Sequence, residues 1–233
     1  MRRYLSNSQY YSLSVGLFAI TSYAWASPSL EVDDAEITEA KSCQLEAWAE
    51  YGRGRNIHWL MPACNPTGNL ELAVAAGYEA YKEDYDTKAF AFEAKTMLAE
   101  ELADYVSIAF SAGFENYRTE GEDEQEWYVN LPVTTFFSER FAWYKDIGAV
   151  YEKDDKHTTF TWGTGFEFGL TDRIDLYGEV FGDSNERPYY QVLAALWLKP
   201  DQIQVSLGFG DKIEGSKDER FVSLGLHIID LGL

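Results

Sequence analysis

Carboxylates recur at alternate positions of segments whose intervening residues are apolar, and this spacing can line a polar channel. Side chains of successive strand residues point to opposite faces, so these carboxylates share one face and the apolar residues the other. A lumen lined by acids favours cations over anions. The candidate lumen acids are Glu71, Glu93, Glu167, Asp175 and Glu179. The alternative is a filled interior in which these acids pair with Lys95 and its neighbours or face trapped water, and the sequence leaves both open.

Three histidines, His58, His157 and His227, are the candidates for a catalytic base. His227 shares a strand face with Ser223, but at ~3.3 Å per residue the two lie about 13 Å apart, which is beyond hydrogen-bond distance. The sequence contains no Gly-x-Ser-x-Gly motif, phosphate-binding loop or His/Cys set with metal-ligand spacing. We therefore predict that the protein is not an enzyme and has no cofactor or metal site. A lipid-modifying membrane enzyme is the less favoured alternative, because it would lack a catalytic dyad.

The two cysteines, Cys43 and Cys64, are predicted to form a disulfide, since the chain carries an export signal. A hairpin that turns at residues 52–55 would set Cys43 opposite Cys64 and Trp48 opposite Trp59. Closing a loop of about 20 residues contributes ~3 kcal/mol in the chain-entropy account. The segment is interpreted as two barrel strands, with a small periplasmic cap as the alternative.

Residues 1–26 are predicted to be a secretory signal peptide. Arg2 and Arg3 precede an apolar stretch at residues 11–23, and Ala24-Trp25-Ala26 forms a small-x-small cleavage site. A membrane anchor is disfavoured, because a spanning helix needs ~20 apolar residues. Cleavage after Ala26 would export the chain, and the expected destination is the outer membrane of a Gram-negative cell.

The exported chain is strongly acidic. Without residues 1–26, which contain two arginines and no acids, it has 17 basic and 39 acidic residues and a formal charge of −22. This charge argues against nucleic acid as a partner. It is compatible with binding or passing cations, and the alternative is a solvated acidic surface. Residues 27–41 have no hydrophobic period and are predicted to be a flexible acidic lead-in on the periplasmic side.

Alternating segments that could position the acids repeat along residues 42–233. In residues 158–181, aromatic and aliphatic side chains alternate with glycines and acids on both sides of a turn at residues 171–173. Ten such strands follow from residue 69 to residue 229, and the first hairpin raises the count to twelve. The pattern predicts an all-β fold, an antiparallel up-and-down transmembrane β-barrel of 12 strands, or 10 if the first hairpin lies outside it.

The connections support this architecture because they alternate between short and long. The short turns are predicted at residues 99–101, 138–140, 171–173 and 199–202. The longer, charged connections are predicted at residues 79–87, 115–126, 152–158, 182–189 and 210–219. Short turns on one side and longer loops on the other are typical of outer-membrane barrels.

Two residues interrupt the pattern. Pro132 lies within a predicted strand, where it removes a ladder hydrogen bond. Lys145 lies on the predicted apolar face, and we expect a β-bulge near Lys145 and Asp146 to restore the register.

The motifs CQLEAW and PACNPTGNLEL, within residues 43–72, resemble a group of uncharacterised proteobacterial outer-membrane barrels. That group is similar in style to the transporter-like barrels associated with the meta-pathway of phenol degradation. Residues 161–169 and 197–205 carry the same likeness. The resemblance implies outer-membrane lipid, lipopolysaccharide and the barrel-assembly machinery as partners, and it supplies no catalytic residues. The chain departs from the usual aromatic ending, since it closes with Asp230-Leu231-Gly232-Leu233.

The expected function is therefore a narrow channel or passive transporter for small solutes, with a preference for cations. A structural or adhesive barrel with a filled lumen is the alternative.

Overall fold

A computed structural model of the protein describes residues 27, 29–82, 85–102 and 105–232. The predicted signal peptide, residues 1–26, lies outside these residues. Within the described ranges, no helix is long and apolar enough to cross a membrane.

Twelve antiparallel strands form a closed barrel, which confirms the fold class and the count of twelve rather than ten. Each strand pairs with its neighbours in sequence, and β12 pairs with β1 to close the sheet. The strands are β1 (Ser42–Gly52), β2 (Arg55–Asn65), β3 (Glu71–Tyr81), β4 (Thr87–Leu102), β5 (Val106–Thr119), β6 (Glu122–Ser138), β7 (Phe141–Glu152), β8 (His157–Thr171), β9 (Ile174–Asp183), β10 (Tyr189–Lys199), β11 (Ile203–Lys212) and β12 (Phe221–Gly232). A short 3-10 turn, Lys217–Glu219, precedes β12.

The two ends of the barrel differ in their connections. We call the end that carries residues 66–70, 103–105, 139–140, 172–173 and 200–202 the turn end, and the opposite end the loop end. Both the start of β1 and the end of β12 lie at the turn end. The loop end carries the longest connection, residues 213–220.

The first hairpin forms as predicted. β1 and β2 pair with Cys43 opposite Cys64 and Trp48 opposite Trp59. The two cysteines are disulfide-bonded. The rings of Trp48 and Trp59 stack with centroids 5.9 Å apart. Both indoles line the interior of the barrel.

The outer wall of the barrel is apolar and the inner wall is small or polar. In β8, Phe160, Trp162 and Phe166 are 64%, 40% and 44% exposed, although they are large hydrophobic residues. The residues between them, such as Gly163 and Gly165, face inward beside polar side chains from neighbouring strands. Every strand except β9 carries exposed large hydrophobic residues, and the outward aliphatic residues of β9 are half-buried. The alternation seen in the sequence therefore has its apolar face on the outside.

Several strands are longer than the sequence indicates. The predicted long connection at residues 115–126 is wrong, because β5 and β6 extend through it and leave a two-residue turn, Glu120-Gly121. Gly121 has φ 95°, a conformation that favours glycine. The predicted turn at residues 99–101 is also wrong, since β4 continues to Leu102. Strands that project into water beyond the apolar belt can pair through their backbones without an apolar face. Hydrophobic alternation therefore underestimates their length.

The two irregular residues behave differently from each other. The β5–β6 ladder has no pairs between Ile108–Val133 and Ser111–Asn130, on either side of Pro132, and the register is the same before and after this gap. The predicted bulge at Lys145 is wrong, because the pairing of β7 with β8 is continuous through Lys145. Lys145 therefore stays on the outer face of the barrel.

The outward position of the apolar face can be tested by placing a charge on it. Phe166→Arg places a charge on the outward face of β8, where a basic residue costs ~2–4 kcal/mol at the bilayer midplane. We expect this variant to fail to assemble, as measured by loss of the heat-modifiable folded band in electrophoresis.

Thr158→Arg is the matched control, since Thr158 lies on the same face of the same strand at the loop end. We expect this variant to assemble normally, because the cost falls to ~0–1 kcal/mol near the interface. Equal assembly of both variants would contradict the outward assignment.

Candidate functional site

Residues 27 and 29–41, which we call the lumen segment, lie inside the barrel. The sequence predicts a flexible periplasmic lead-in here, and the structure differs by placing the segment across the lumen. Val32 is 1% exposed and packs in a cluster with Tyr144, Tyr177, Leu193 and Ala195 from the wall. Leu30 of the segment packs against the same cluster, so apolar side chains of an acidic segment supply its hydrophobic contact with the wall.

The lumen segment is held by side chains of the wall, which accept hydrogen bonds from its backbone. The carboxylate of Glu179 accepts the N–H groups of Glu31 at 3.1 Å and of Val32 at 3.0 Å. Glu71 accepts both the N–H of Thr38, at 2.7 Å, and the Thr38 hydroxyl. Buried N–H groups need acceptors, and the carboxylates provide them where no strand is available.

Two further wall residues complete this set of acceptors. Asp146 accepts the N–H of Asp33 at 3.0 Å, and the Thr134 hydroxyl accepts the N–H of Ala35 at 2.9 Å. The middle of the segment is thereby fixed to β6 and β7.

The start of the segment is fixed to β11. The hydroxyl of Ser27 donates to that of Ser206 at 2.9 Å, and the Ser29 hydroxyl lies 3.4 Å from the same oxygen. The segment thus contacts strands on opposite sides of the barrel.

Lys95 joins the segment to the wall by charge. Its Nζ lies 2.8 Å from Asp33 Oδ1 and 3.6 Å from Asp34 Oδ1, and the lysine itself is 5% exposed. Glu36, on the same segment, has a buried Oε2 that accepts no hydrogen bond from the described residues. Burial, with the charge of Asp34 added, raises the pKa of Glu36 well above its ordinary value, which favours its protonated form.

The segment leaves the lumen at the turn end, beside β2. The Asn65 side-chain amide donates to the carbonyl of Thr38 at 2.7 Å, and the N–H of Lys41 donates to the carbonyl of Asn65 at 2.7 Å. Lys41 has φ 63°, which turns the chain into β1.

Gly163 provides the space that the segment needs. A methyl group on Gly163 would lie 2.6 Å from Val32 Cγ2 and 2.6 Å from Asp146 Oδ1. Real side chains do not approach so closely, so the segment's position depends on glycine at this point of β8.

Beside the segment and toward the loop end, the lumen remains open as two adjoining cavities of about 540 and 320 Å³. We call this space the vestibule. Two basic residues, Lys95 and Arg55, also line the vestibule wall. Arg55 Nη1 lies 3.9 Å from Glu79 Oε2. Carboxylates therefore dominate the described wall of the vestibule. They are Glu46, Glu50, Glu71, Glu79, Glu93, Glu115, Glu126, Asp146 and Asp183.

The acids singled out from the sequence do not form one site. Glu71 and Glu93 line the vestibule, and the Tyr128 hydroxyl donates to Glu93 at 2.9 Å. Glu179 accepts from the segment. Glu167 and Asp175 line a separate cavity of about 250 Å³ at the turn end.

The acids of the turn end are bonded to wall side chains. Glu167 accepts from the Tyr144 hydroxyl. Asp175 accepts from Trp197 Nε1 at 2.7 Å and from Gln204 Nε2 at 3.4 Å. They contribute to the packing of the lumen below the segment rather than to the vestibule.

Sequence reasoning missed acids of the vestibule wall, notably Glu46, Glu50, Glu115 and Glu126. The signal for the first two was present, since Gln44, Glu46, Trp48 and Glu50 occupy every second position of β1. The signal for the others was obscured because the region was assigned to a loop.

The buried histidine, His227, lies beside a glutamine of β1. His227 is 1% exposed, and its Nε2 lies 3.1 Å from Gln44 Oε1. Ser223 accepts instead from Gln191 Nε2, at 2.7 Å.

Comparison with known proteins identifies a family and a fold. The family model described as Uncharacterised conserved protein UCP029691 matches residues 15–228. Comparison with curated proteins finds no match.

Among solved structures, the chain is similar to a KdgM porin in complex with disordered oligogalacturonate, with TM-score 0.63 and 8% identity over 79% of this chain and 98% of the porin. It is similar to the COG4313 outer membrane channel from Pseudomonas putida F1, with TM-score 0.63 and 12% identity over 86% of this chain and 99% of the channel. The outer membrane protein Omp33 of Acinetobacter baumannii gives TM-score 0.53 and 11% identity over 81% of this chain and 98% of that protein. The TM-scores establish a shared barrel fold, and at such low identities the likeness is limited to the fold.

The position of the lumen segment can be tested with a buried thiol. Ser29 is 3% exposed, so a Ser29→Cys variant carries a thiol that the closed lumen should protect from a maleimide. Gly163→Ala in this background would overpack the contact with Val32, which costs ~1–3 kcal/mol. We expect labelling to become about tenfold faster, as displacement of the segment exposes the introduced thiol more often.

Gly169→Ala is the control, because a methyl group there lies 3.6 Å from Arg140 Cβ, an ordinary contact on the same face of β8. The native cysteines are disulfide-bonded and should not react. Equal labelling rates in the two alanine variants would contradict the placement of the segment.

Proposed function

We propose that this chain, which belongs to the family described as Uncharacterised conserved protein UCP029691, is a narrow outer-membrane channel or passive transporter for small solutes, with a preference for cations. The acidic vestibule is the observation that carries this proposal.

The outer-membrane location is supported by the exposed apolar wall and by the predicted signal peptide. A closed barrel satisfies its backbone hydrogen bonds internally, which lets it cross a bilayer with no exposed sheet edge. The solved structures of similar fold include proteins described as porins and as an outer membrane channel. Recovery of the protein in a periplasmic extract without detergent would contradict this location.

The preference for cations follows from the charge of the vestibule. Its two basic wall residues are engaged, Lys95 with Asp33 and Asp34, and Arg55 with Glu79. Most of the wall carboxylates have no lysine or arginine partner within the described residues, so their field favours entry of a cation and opposes an anion.

Passage across the membrane requires the lumen segment to move. The described residues of the segment form no strand pair with the wall. Each of their contacts with the strands described above joins the segment to a side chain or to Asn65 at its exit. Such contacts can be exchanged without breaking the barrel. Because the segment lies across the lumen in this state, the channel is closed, and displacement of the segment would open it.

A structural or adhesive barrel with a filled lumen is the second candidate. The observation that favours it is the segment itself, which fills the narrow part of the lumen. Val32 packs against the wall, and five backbone N–H groups of the segment donate hydrogen bonds to Glu179, Asp146, Thr134 and Glu71. In this candidate the segment never leaves.

Conductance in planar bilayers separates the two candidates. Deletion of residues 29–38 removes the segment and leaves the turn at Lys41 and the twelve strands. We expect the deletion variant to show larger current steps than the full mature chain, because the occupied part of the lumen becomes open. Folding of both proteins is checked by heat modifiability. Current steps in the deletion variant but none in the full mature chain would favour the filled barrel, and a folded deletion variant without current steps would contradict the channel.

Ion selectivity tests the role of the vestibule. In the deletion variant, replacing Glu93, Glu115 and Glu126 by glutamine removes three ionisable carboxyl groups from the vestibule wall. We expect the reversal potential in a salt gradient to shift toward zero, since the preference for cations weakens.

Glu139→Gln is the control, because Glu139 is exposed in the connection between β6 and β7 at the turn end. It should leave the reversal potential unchanged. An unchanged potential in the triple variant would contradict selection by the vestibule.

A further inference from the structure

Lys145 is a cationic residue on the apolar outer wall. It lies between Trp143 and Ile147 on the outward face of β7, and these neighbours are 41% and 64% exposed. The register of β7 is continuous with β6 and β8 at this point, so the lysine is not turned inward by a bulge. A charge in this position is costly in a hydrocarbon environment unless it finds a partner.

The ammonium group is only partly satisfied by the protein. Lys145 Nζ lies 3.0 Å from Thr135 Oγ1 and 4.0 Å from the centroid of the Trp143 ring. It forms no ion pair within the described part of the chain. Since an ammonium has three N–H donors, two remain for a partner outside the barrel wall.

The lysine side chain extends toward the turn end. Thr135 pairs with Trp143, one outward position nearer to the turn end than Lys145 itself. At that end, the ring of Phe137 lies 5.6 Å from Phe141 and 6.3 Å from Trp143. Aromatic rings and lysines that extend to a rim mark the interface between hydrocarbon and headgroups.

The surroundings of Lys145 define the chemistry of its partner. The outward positions of β6, β7 and β8 beside it carry apolar side chains or threonine, and none of those positions near it carries an acid. A second copy packed against this wall through the same strands would therefore bring no carboxylate to the ammonium. A phospholipid combines a phosphate at the interface with acyl chains that fit the apolar wall.

We propose that Lys145 binds the phosphate of a phospholipid, with the Thr135 hydroxyl holding the ammonium in place and the acyl chains lying against the outer wall of β6–β8. This site rests on the membrane location proposed above, and it is independent of whether the lumen conducts. With the turn end facing the periplasm, the lipid belongs to the inner leaflet of the outer membrane.

Native mass spectrometry of the full mature protein in detergent tests the site. The probes are phosphatidylglycerol, diacylglycerol with the same acyl chains, and inorganic phosphate. We expect one phosphatidylglycerol to bind, Lys145→Met to weaken it about tenfold, and Lys145→Arg to retain it. Diacylglycerol and inorganic phosphate should each bind much more weakly, because each supplies only half of the contact.

Lys82→Met is the control, since Lys82 is exposed in the connection between β3 and β4 at the loop end. It should bind the lipid as the unaltered protein does. Equal binding by Lys145→Met, equal binding of diacylglycerol, or equal binding of inorganic phosphate would each overturn the site.

Fractionation of cells separates failure of this site from failure of the proposed location. A protein absent from the membrane fraction would overturn the location and the site together. A heat-modifiable barrel in the outer-membrane fraction whose lipid binding does not depend on Lys145 would overturn the site alone.

Discussion

Closure of the sheet between β1 and β12 is the constraint on which the rest of the structure depends. Once twelve strands close, each side chain must face either the outer wall or a lumen of fixed width. The same alternation that exposes Phe166 outside places Gly165 and Glu167 inside. The barrel therefore encloses a polar space that a core of apolar side chains does not fill. What occupies that space decides what the protein does.

The lumen segment shows how an acidic chain can pass through an acidic interior. Its backbone N–H groups are donors, and Glu179, Asp146 and Glu71 accept from them. Carboxylates that would repel the side chains of the segment thus bind its backbone. Lys95 offsets the charge of the two aspartates that it contacts on the segment. A buried lysine in such a place is costly by itself and becomes favourable only with its partners present.

Much of the barrel could be predicted from period-two alternation, because one face of each strand is uniformly apolar. The register of the first hairpin could also be predicted, since the cysteine and tryptophan pairs are symmetric about the turn. The lumen segment could not, because residues 27–41 have no period and their contacts are with side chains up to 179 residues away. The Glu120-Gly121 turn was missed because charged strands beyond the apolar belt resemble a loop. Lys145 interrupts the apolar alternation of β7, and in the structure it remains on the outer face without a bulge.

The contacts of the lumen segment also set an order of assembly. The segment is made before any strand, yet it bonds to Glu71 in β3, Asp146 in β7, Glu179 in β9 and Ser206 in β11. These acceptors are spread from β3 to β11, so the full set is in place only when most of the wall has formed, and the seam between β1 and β12 joins the first strand to the last. Pairing over such sequence separations is slow, because loop closure precedes the contacts that stabilise it. The segment precedes every strand in the chain, yet its full set of contacts forms only after those strands have paired.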